Sequence, residues 1–255
     1  PVWVRPDVDA ATGLPLGVAP ATVADALAAH PRARAVFVGD PAYVGTVGDV
    51  AGLAAVAHAH DVPLVVDAAW APHFGFHPAL PPHALALGAD VMITSAHKTL
   101  PAYSQAALLL ARTERIDAAR LDAGFEATAT TSPAGSILAS TDAARALLAR
   151  DGDELLGAAI CAVAAARAEL AAIDGLVVLD GPGVDPLKLT LALAGTGADG
   201  NAVEADLLEA GLPVESADRD VIVAVVTMAD TAATVGALTS ALTTSLARRR
   251  GPARP

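Results

Sequence analysis

Asp90-Val91-Met92-Ile93-Thr94-Ser95-Ala96-His97-Lys98-Thr99-Leu100-Pro101 decides how this chain is read. Asp90 to Thr94 is a short apolar run with the composition of a buried strand, and a lysine follows it within four residues. Lys98 and Lys188 are the only lysines, against fourteen arginines, so the sequence uses Arg wherever a cation suffices. Arginine cannot form an imine with a carbonyl, whereas a desolvated lysine amine can. Upstream, Leu64-Val65-Val66-Asp67 ends a second apolar run in a carboxylate. A third, Ala35-Val36-Phe37-Val38, runs into Gly39-Asp40-Pro41.

Short apolar runs bounded by turn residues and separated by helical patterns predict an α/β fold with a mostly parallel, buried sheet. Functional groups in such sheets gather at the carboxyl ends of the strands, where Asp40, Asp67 and Ser95 to Lys98 all fall. Asp49 to His60 reads as a helix, Pro63 to Val66 as a strand and Ser104 to Leu110 as another strand. Ser132-Pro133 reads as a helix start, with Ser132 as N-cap, and an Ala-rich helix is predicted from about Asp151 to Ile173. Beyond it, strands at Leu176–Leu179, Leu187–Leu193 and Val221–Val226 alternate with helices at Asn201–Ala210 and Asp230–Ala247. This organisation divides the chain into a larger part, residues 1–150, and a small α+β domain with its linking helix, residues 151–255.

A lysine after one strand and an acid ending its neighbour suit pyridoxal phosphate. That cofactor needs an amine to hold its aldehyde, a carboxylate beside its pyridine nitrogen, a small residue under the ring and donors for the phosphate. Lys98 and Asp67 supply the first two. Ala69, two residues beyond Asp67 along an extended segment, leaves room for the ring, and Ser95 and His97 are phosphate donors. Asp67 also has a plainer reading as the cap of a strand-to-helix turn, although Ala-Ala-Trp follows it rather than a periodic helix.

Several stretches resemble the major domain of Orn/Lys/Arg decarboxylases. They are Val66-Asp67-Ala68-Ala69-Trp70-Ala71-Pro72-His73-Phe74-Gly75-Phe76-His77-Pro78, then Leu80-Pro81-Pro82 and Gly88-Ala89-Asp90. Ser95-Ala96-His97-Lys98 resembles that family's Ser-Thr-His-Lys signature, and Asp40-Pro41-Ala42-Tyr43-Val44-Gly45 its Asn-Pro-Thr-Tyr-x-Gly turn. Thr130-Thr131-Ser132-Pro133 and Asp185-Pro186-Leu187-Lys188-Leu189-Thr190 match further downstream. The resemblance implies a fold-type-I pyridoxal phosphate enzyme in which Lys98 holds the cofactor and Asp67 pairs with the pyridine nitrogen. It implies that Trp70 and His73 line the substrate side, with His73 among the catalytic residues. It also implies that Thr131 and Ser132 approach the cofactor of a neighbouring subunit in a homodimer or higher homo-oligomer.

The activity so implied is decarboxylation of arginine, lysine or ornithine to the corresponding amine. Transamination, or another fold-type-I lyase reaction, would use the same acid and lysine. Ala68, Ala96 and Ala42 replace polar residues usual in the family. The family's Gly-Ser/Thr phosphate cradle and ring-stacking residue have no counterpart here, so a catalytically incomplete fragment is a further reading. Val2-Trp3-Val4-Arg5 reads as a strand already under way, which makes the chain look truncated at its start.

Composition narrows the partners. With 54% hydrophobic and 17% charged residues the chain can build a core, and a formal charge of -12 argues against nucleic acid or anionic lipid. Arg248-Arg249-Arg250 reads as a frayed, solvated tail. The lone Cys161, expected to be a small buried thiol, excludes an internal disulfide and a cysteine-built zinc site. His58 and His60 are two apart on a helix and cannot face one metal, so no metal site is predicted. No apolar run reaches spanning length, and the expected location is the cytoplasm.

Overall fold

A computed structural model describes residues 1–254. The chain separates into two compact units. The first comprises residues 1–8, 15–76 and 81–150; the second comprises 9–14, 77–80 and the residues from Asp151 on.

In the first unit, β1 (Asp7–Val8) and β2 (Pro15–Gly17) form a small antiparallel pair. They are followed by α1 (Pro20–Ala29), β3 (Val36–Gly39), α2 (Val50–Ala59) and β4 (Leu64–Asp67). Next come β5 (Val91–Thr94), the one-turn helix α3 (Ala96–Thr99), β6 (Leu108–Ala111) and α4 (Ala118–Thr128). The long helix α5 (Gly135–Leu170) continues into the second unit. The predicted strand at Val2–Arg5 is not formed; those residues make no ladder.

The main sheet has the order β3-β4-β5-β6. The first three strands are parallel and β6 runs antiparallel to β5. Pairing of Val36 with Leu64 and of Val66 with Met92 puts these residues on one face, where Leu53, Ala54 and Ala57 of α2 and Val23 and Leu27 of α1 complete a core. Asp49 caps α2 by accepting the Gly52 amide at 2.8 Å. Because side chains alternate along a strand, Phe37, Val65, Asp67 and Ile93 project to the opposite face. Phe37 is 66% exposed there and Leu109, across from Ile93, is 41% exposed.

The second unit adds β7 (Val177–Val178), β8 (Lys188–Ala192), α6 (Gly200–Glu209), β9 (Ser216–Ala217), β10 (Val221–Val225) and α7 (Ala232–Arg249). Its sheet, in the order β7-β8-β10-β9, is antiparallel throughout, and every residue of β8 is buried. Arg167 of α5 binds this sheet's entry loop, donating to the Asp180 carboxylate at 2.8 Å and to the carbonyls of Asp185 and Lys188 at 2.9 and 2.7 Å. Lys188 and Asp185 are both 1% exposed, which assigns this second lysine to the interior of the small unit.

Three further expectations fail. Helix α5 begins at Gly135 and runs unbroken through Asp151, so Ser132 is not its cap and no separate helix starts at Asp151. Cys161 is exposed: in a helix so rich in alanine, little contrast marks the buried face. Arg248 to Arg250 are not a frayed tail. Arg248 and Arg249 extend α7 and pair with Asp206, and Arg250 pairs with Asp174. Hydrogen bonds from Arg249, Ser245 and Arg248 hold the Asp206 carboxyl well below the usual carboxylate range. Among the described residues, no helix is long and apolar enough to cross a membrane.

Candidate active site

The carboxyl ends of β3, β4 and β5 form one rim. Asp67 is the last residue of β4 and pairs with Ile93 of β5, five residues before Lys98. Its carboxylate accepts the Ala69 amide at 3.1 Å, and its carbonyl accepts the Asp40 amide at 3.0 Å. The segment after Asp67 is therefore a turn and not the extended strand expected around Ala69. Two bonds tie this turn to β5: the Ala68 amide donates to Ile93 O at 2.7 Å, and Thr94 Oγ1 donates to Ala68 O at 2.9 Å. Trp70 then lies where the Lys98 ammonium rests over its ring, with Nζ 4.4 Å from the centroid. Acid and amine stand on the same rim, joined through Ala69 and Trp70.

Lys98 sits in α3, directly after β5. His97 Nδ1 lies 2.8 Å from the Ala106 carbonyl, which leaves Nε2 as this ring's remaining polar atom. Ser95 occupies the N-cap position of α3, but its hydroxyl makes no capping bond, and the residue is only partly buried. His73 is 1% exposed, hydrogen-bonded through Nδ1 to Thr99 Oγ1 at 3.0 Å, with its ring edge-on to Phe74. It braces the residue after the lysine from beneath. Thr131 and Ser132 are exposed in the segment between α4 and α5, where the Ser132 amide donates to Thr130 Oγ1 at 3.2 Å. No hydrogen bond joins either of them to the Lys98 group among the described residues.

Residues 1–181 match the family described as Orn/Lys/Arg decarboxylase, major domain. The chain belongs to that family. An arginine decarboxylase of Halalkalibacterium halodurans is 34% identical over 251 residues, 95% of this chain and 51% of that protein. The chain thus spans about half the length of the curated relatives it matches. Among solved structures, the lysine decarboxylase LdcF of Francisella novicida superposes with a TM-score of 0.77 at 21% identity, covering 96% of this chain and 41% of that one. A pyridoxamine-pyruvate aminotransferase of Mesorhizobium loti superposes with a TM-score of 0.68 at 18% identity, over 91% of this chain and 64% of that one. The α/β fold is that of fold-type-I enzymes.

Two more side chains stand on the rim: Asp40, which the sequence places at a strand end, and Tyr43, to which the sequence gives no role. Tyr43, from the segment after β3, packs edge-on against Trp70 with centroids 5.2 Å apart. Asp40, 7% exposed, accepts the Gly48 amide through Oδ2 at 2.6 Å. A Cβ on Gly48 would lie 2.6 Å from that same oxygen, so only glycine fits without displacing the carboxyl. Desolvation dominates at Asp40 and outweighs the single amide bond, pushing its pKa up to about 6.

The Asp40 shift has a measurable consequence. Between the ordinary value of 3.8 and about 6 the folded protein keeps a proton that the unfolded chain has lost, so stability falls as pH rises through that window. Asp40→Asn keeps an oxygen for the Gly48 amide and removes the charge. It should raise stability at pH 7 by about 3 kcal/mol and change it little at pH 4. Urea unfolding at the two pH values measures this; an equal gain at both would show that the buried charge is not the cause.

Proposed function

We propose that this protein is a pyridoxal phosphate-dependent decarboxylase of a basic amino acid, releasing carbon dioxide from arginine, lysine or ornithine. The observation that carries the reading is the rim itself, where the Lys98 amine and the Asp67 carboxylate flank Ala69 and Trp70. Family membership supports it. The residues fit the cofactor chemically: an amine for the aldehyde, a carboxylate for the ring nitrogen, an alanine beside the ring and an unbonded Ser95 hydroxyl for a phosphate oxygen. When bound, pyridoxal phosphate supplies an electron sink for the bond broken at the substrate's Cα.

The chain's own groups do the remaining work. Lys98 would hold the cofactor through its amine, the one group on this rim able to condense with an aldehyde. Asp67 holds a proton at the pyridine nitrogen, while the Ala69 amide keeps that carboxylate oriented. His97 Nε2 and Ser95 Oγ would hold the phosphate, and Thr131 and Ser132 would serve the site of a second subunit in a homodimer or higher homo-oligomer. His73, too buried to meet substrate directly, fixes Thr99 and with it the lysine turn. Trp70 offers its face to cationic groups.

Arginine is the first substrate to test, given the arginine decarboxylase relative. With pyridoxal phosphate present, the protein should convert arginine, lysine or ornithine to equal amounts of carbon dioxide and amine. Release of a keto acid without carbon dioxide would replace decarboxylation with transamination.

A further inference from the structure

We propose that Tyr43 is a positioning residue for the reacting amine, acting on Lys98 through the indole of Trp70. The proposal rests on the reading of Lys98 as the cofactor lysine but concerns a device that exists before any cofactor binds. Among the described residues the Lys98 side chain has no hydrogen bond or ion pair; the Trp70 ring, 4.4 Å from Nζ, is its recorded partner. A ring attracts a cation only over its face, so the contact requires that the indole plane be held toward the amine.

Tyr43 supplies that constraint. Its ring meets Trp70 at an interplanar angle of 79°, the edge-to-face geometry that the aromatic quadrupole favours. Both rings are carried on closed backbone turns. The Tyr43 segment is closed by the Ala42 amide on Thr46 O and the Gly45 amide on Ala42 O, both at 2.8 Å, and by Gly48 on the Asp40 carboxylate. The Trp70 turn is closed by the Ala71 amide on Ala68 O at 2.9 Å and by Ala69 on Asp67. Trp70 therefore gains its orientation from Tyr43, and Lys98 takes its waiting position from Trp70. The ammonium is kept over the indole at the rim.

Amine labelling of the protein without cofactor reads this directly, because Lys188 is 1% exposed and Lys98 is the accessible lysine. Trinitrobenzenesulfonate modification at Lys98 is followed by peptide mass spectrometry. Tyr43→Ala and Trp70→Leu should label about three- to tenfold faster than wild type, the scale of a lost ring–cation contact. Tyr43→Phe, which keeps the ring edge, should label at the wild-type rate. Should Tyr43→Ala fail to fold by circular dichroism, Tyr43→Leu takes its place.

A second measurement needs no Tyr43 variant. With Trp3→Phe leaving Trp70 as the only tryptophan, Lys98→Met should change the emission intensity. Unchanged labelling in Tyr43→Ala, equal acceleration in Tyr43→Phe, or emission indifferent to Lys98→Met would each overturn the proposal. Absence of a pyridoxal phosphate complex would instead remove the assigned function and leave these cofactor-free results standing.

Discussion

Lys98→Ala should abolish the visible absorbance expected when pyridoxal phosphate is added to the wild-type protein, and it should lower the proposed decarboxylation by about 10³-fold or more. The size of the effect follows from the scarcity of alternatives. Lys188, the only other lysine, is buried in β8. The guanidinium groups of the fourteen arginines cannot condense with an aldehyde. Lys98→Arg sharpens the test, since it restores a cation over Trp70 without restoring a nucleophilic amine. It should be as inactive as the alanine variant. Spectral titration with the cofactor is the measurement, and wild-type absorbance in either variant would remove Lys98 from the role given it here.

Why this lysine could be found in the sequence, while much of its surroundings could not, has a physical explanation. Strand and chemistry coincide at Asp67 and Lys98: each follows a run of apolar residues whose burial against α1 and α2 fixes the sheet, so the strand ends mark the rim. The helix α2 was legible within a residue or so because Asp49 caps it and its apolar positions recur. The contacts that tune the rim depend on registry between strands distant in sequence. Tyr43 meets Trp70 only because β3 and β4 are parallel neighbours, and Asp40 loses water only when the loop to Gly48 folds over it. Residue types alone give no sign of either.

Composition hid other features for a different reason. In α5, alanine on all sides erases the contrast between buried and exposed faces, so Cys161 was misplaced and the helix was divided in two. Helix propensity summed over its Ala- and Leu-rich length carries it through Gly152, a residue whose cost in a helix interior is only about 1 kcal/mol. The arginine triplet near the end resembled a tail because its carboxylate partners, Asp206 and Asp174, lie about 40 or more residues away along the chain.

The second large effect is expected at Asp67. Asp67→Asn keeps the volume, leaves an oxygen for the Ala69 amide and leaves the backbone carbonyl that accepts the Asp40 amide, so the turn carrying Trp70 should survive. What it removes is negative charge at the end of β4, where a protonated pyridine nitrogen would need it. Electrostatic groups aimed at charge that develops during a reaction are typically worth about 10²–10³-fold in kcat, and a loss of that size is expected here. The two variants then separate two roles on one rim. Lys98→Ala loses the cofactor absorbance, whereas Asp67→Asn keeps it and loses turnover, with KM for the amino acid little altered. Steady-state kinetics beside the cofactor spectrum decide the matter: an Asp67→Asn protein within threefold of wild-type kcat would show that the carboxylate only shapes the turn, leaving the electron sink to be supported by a different group.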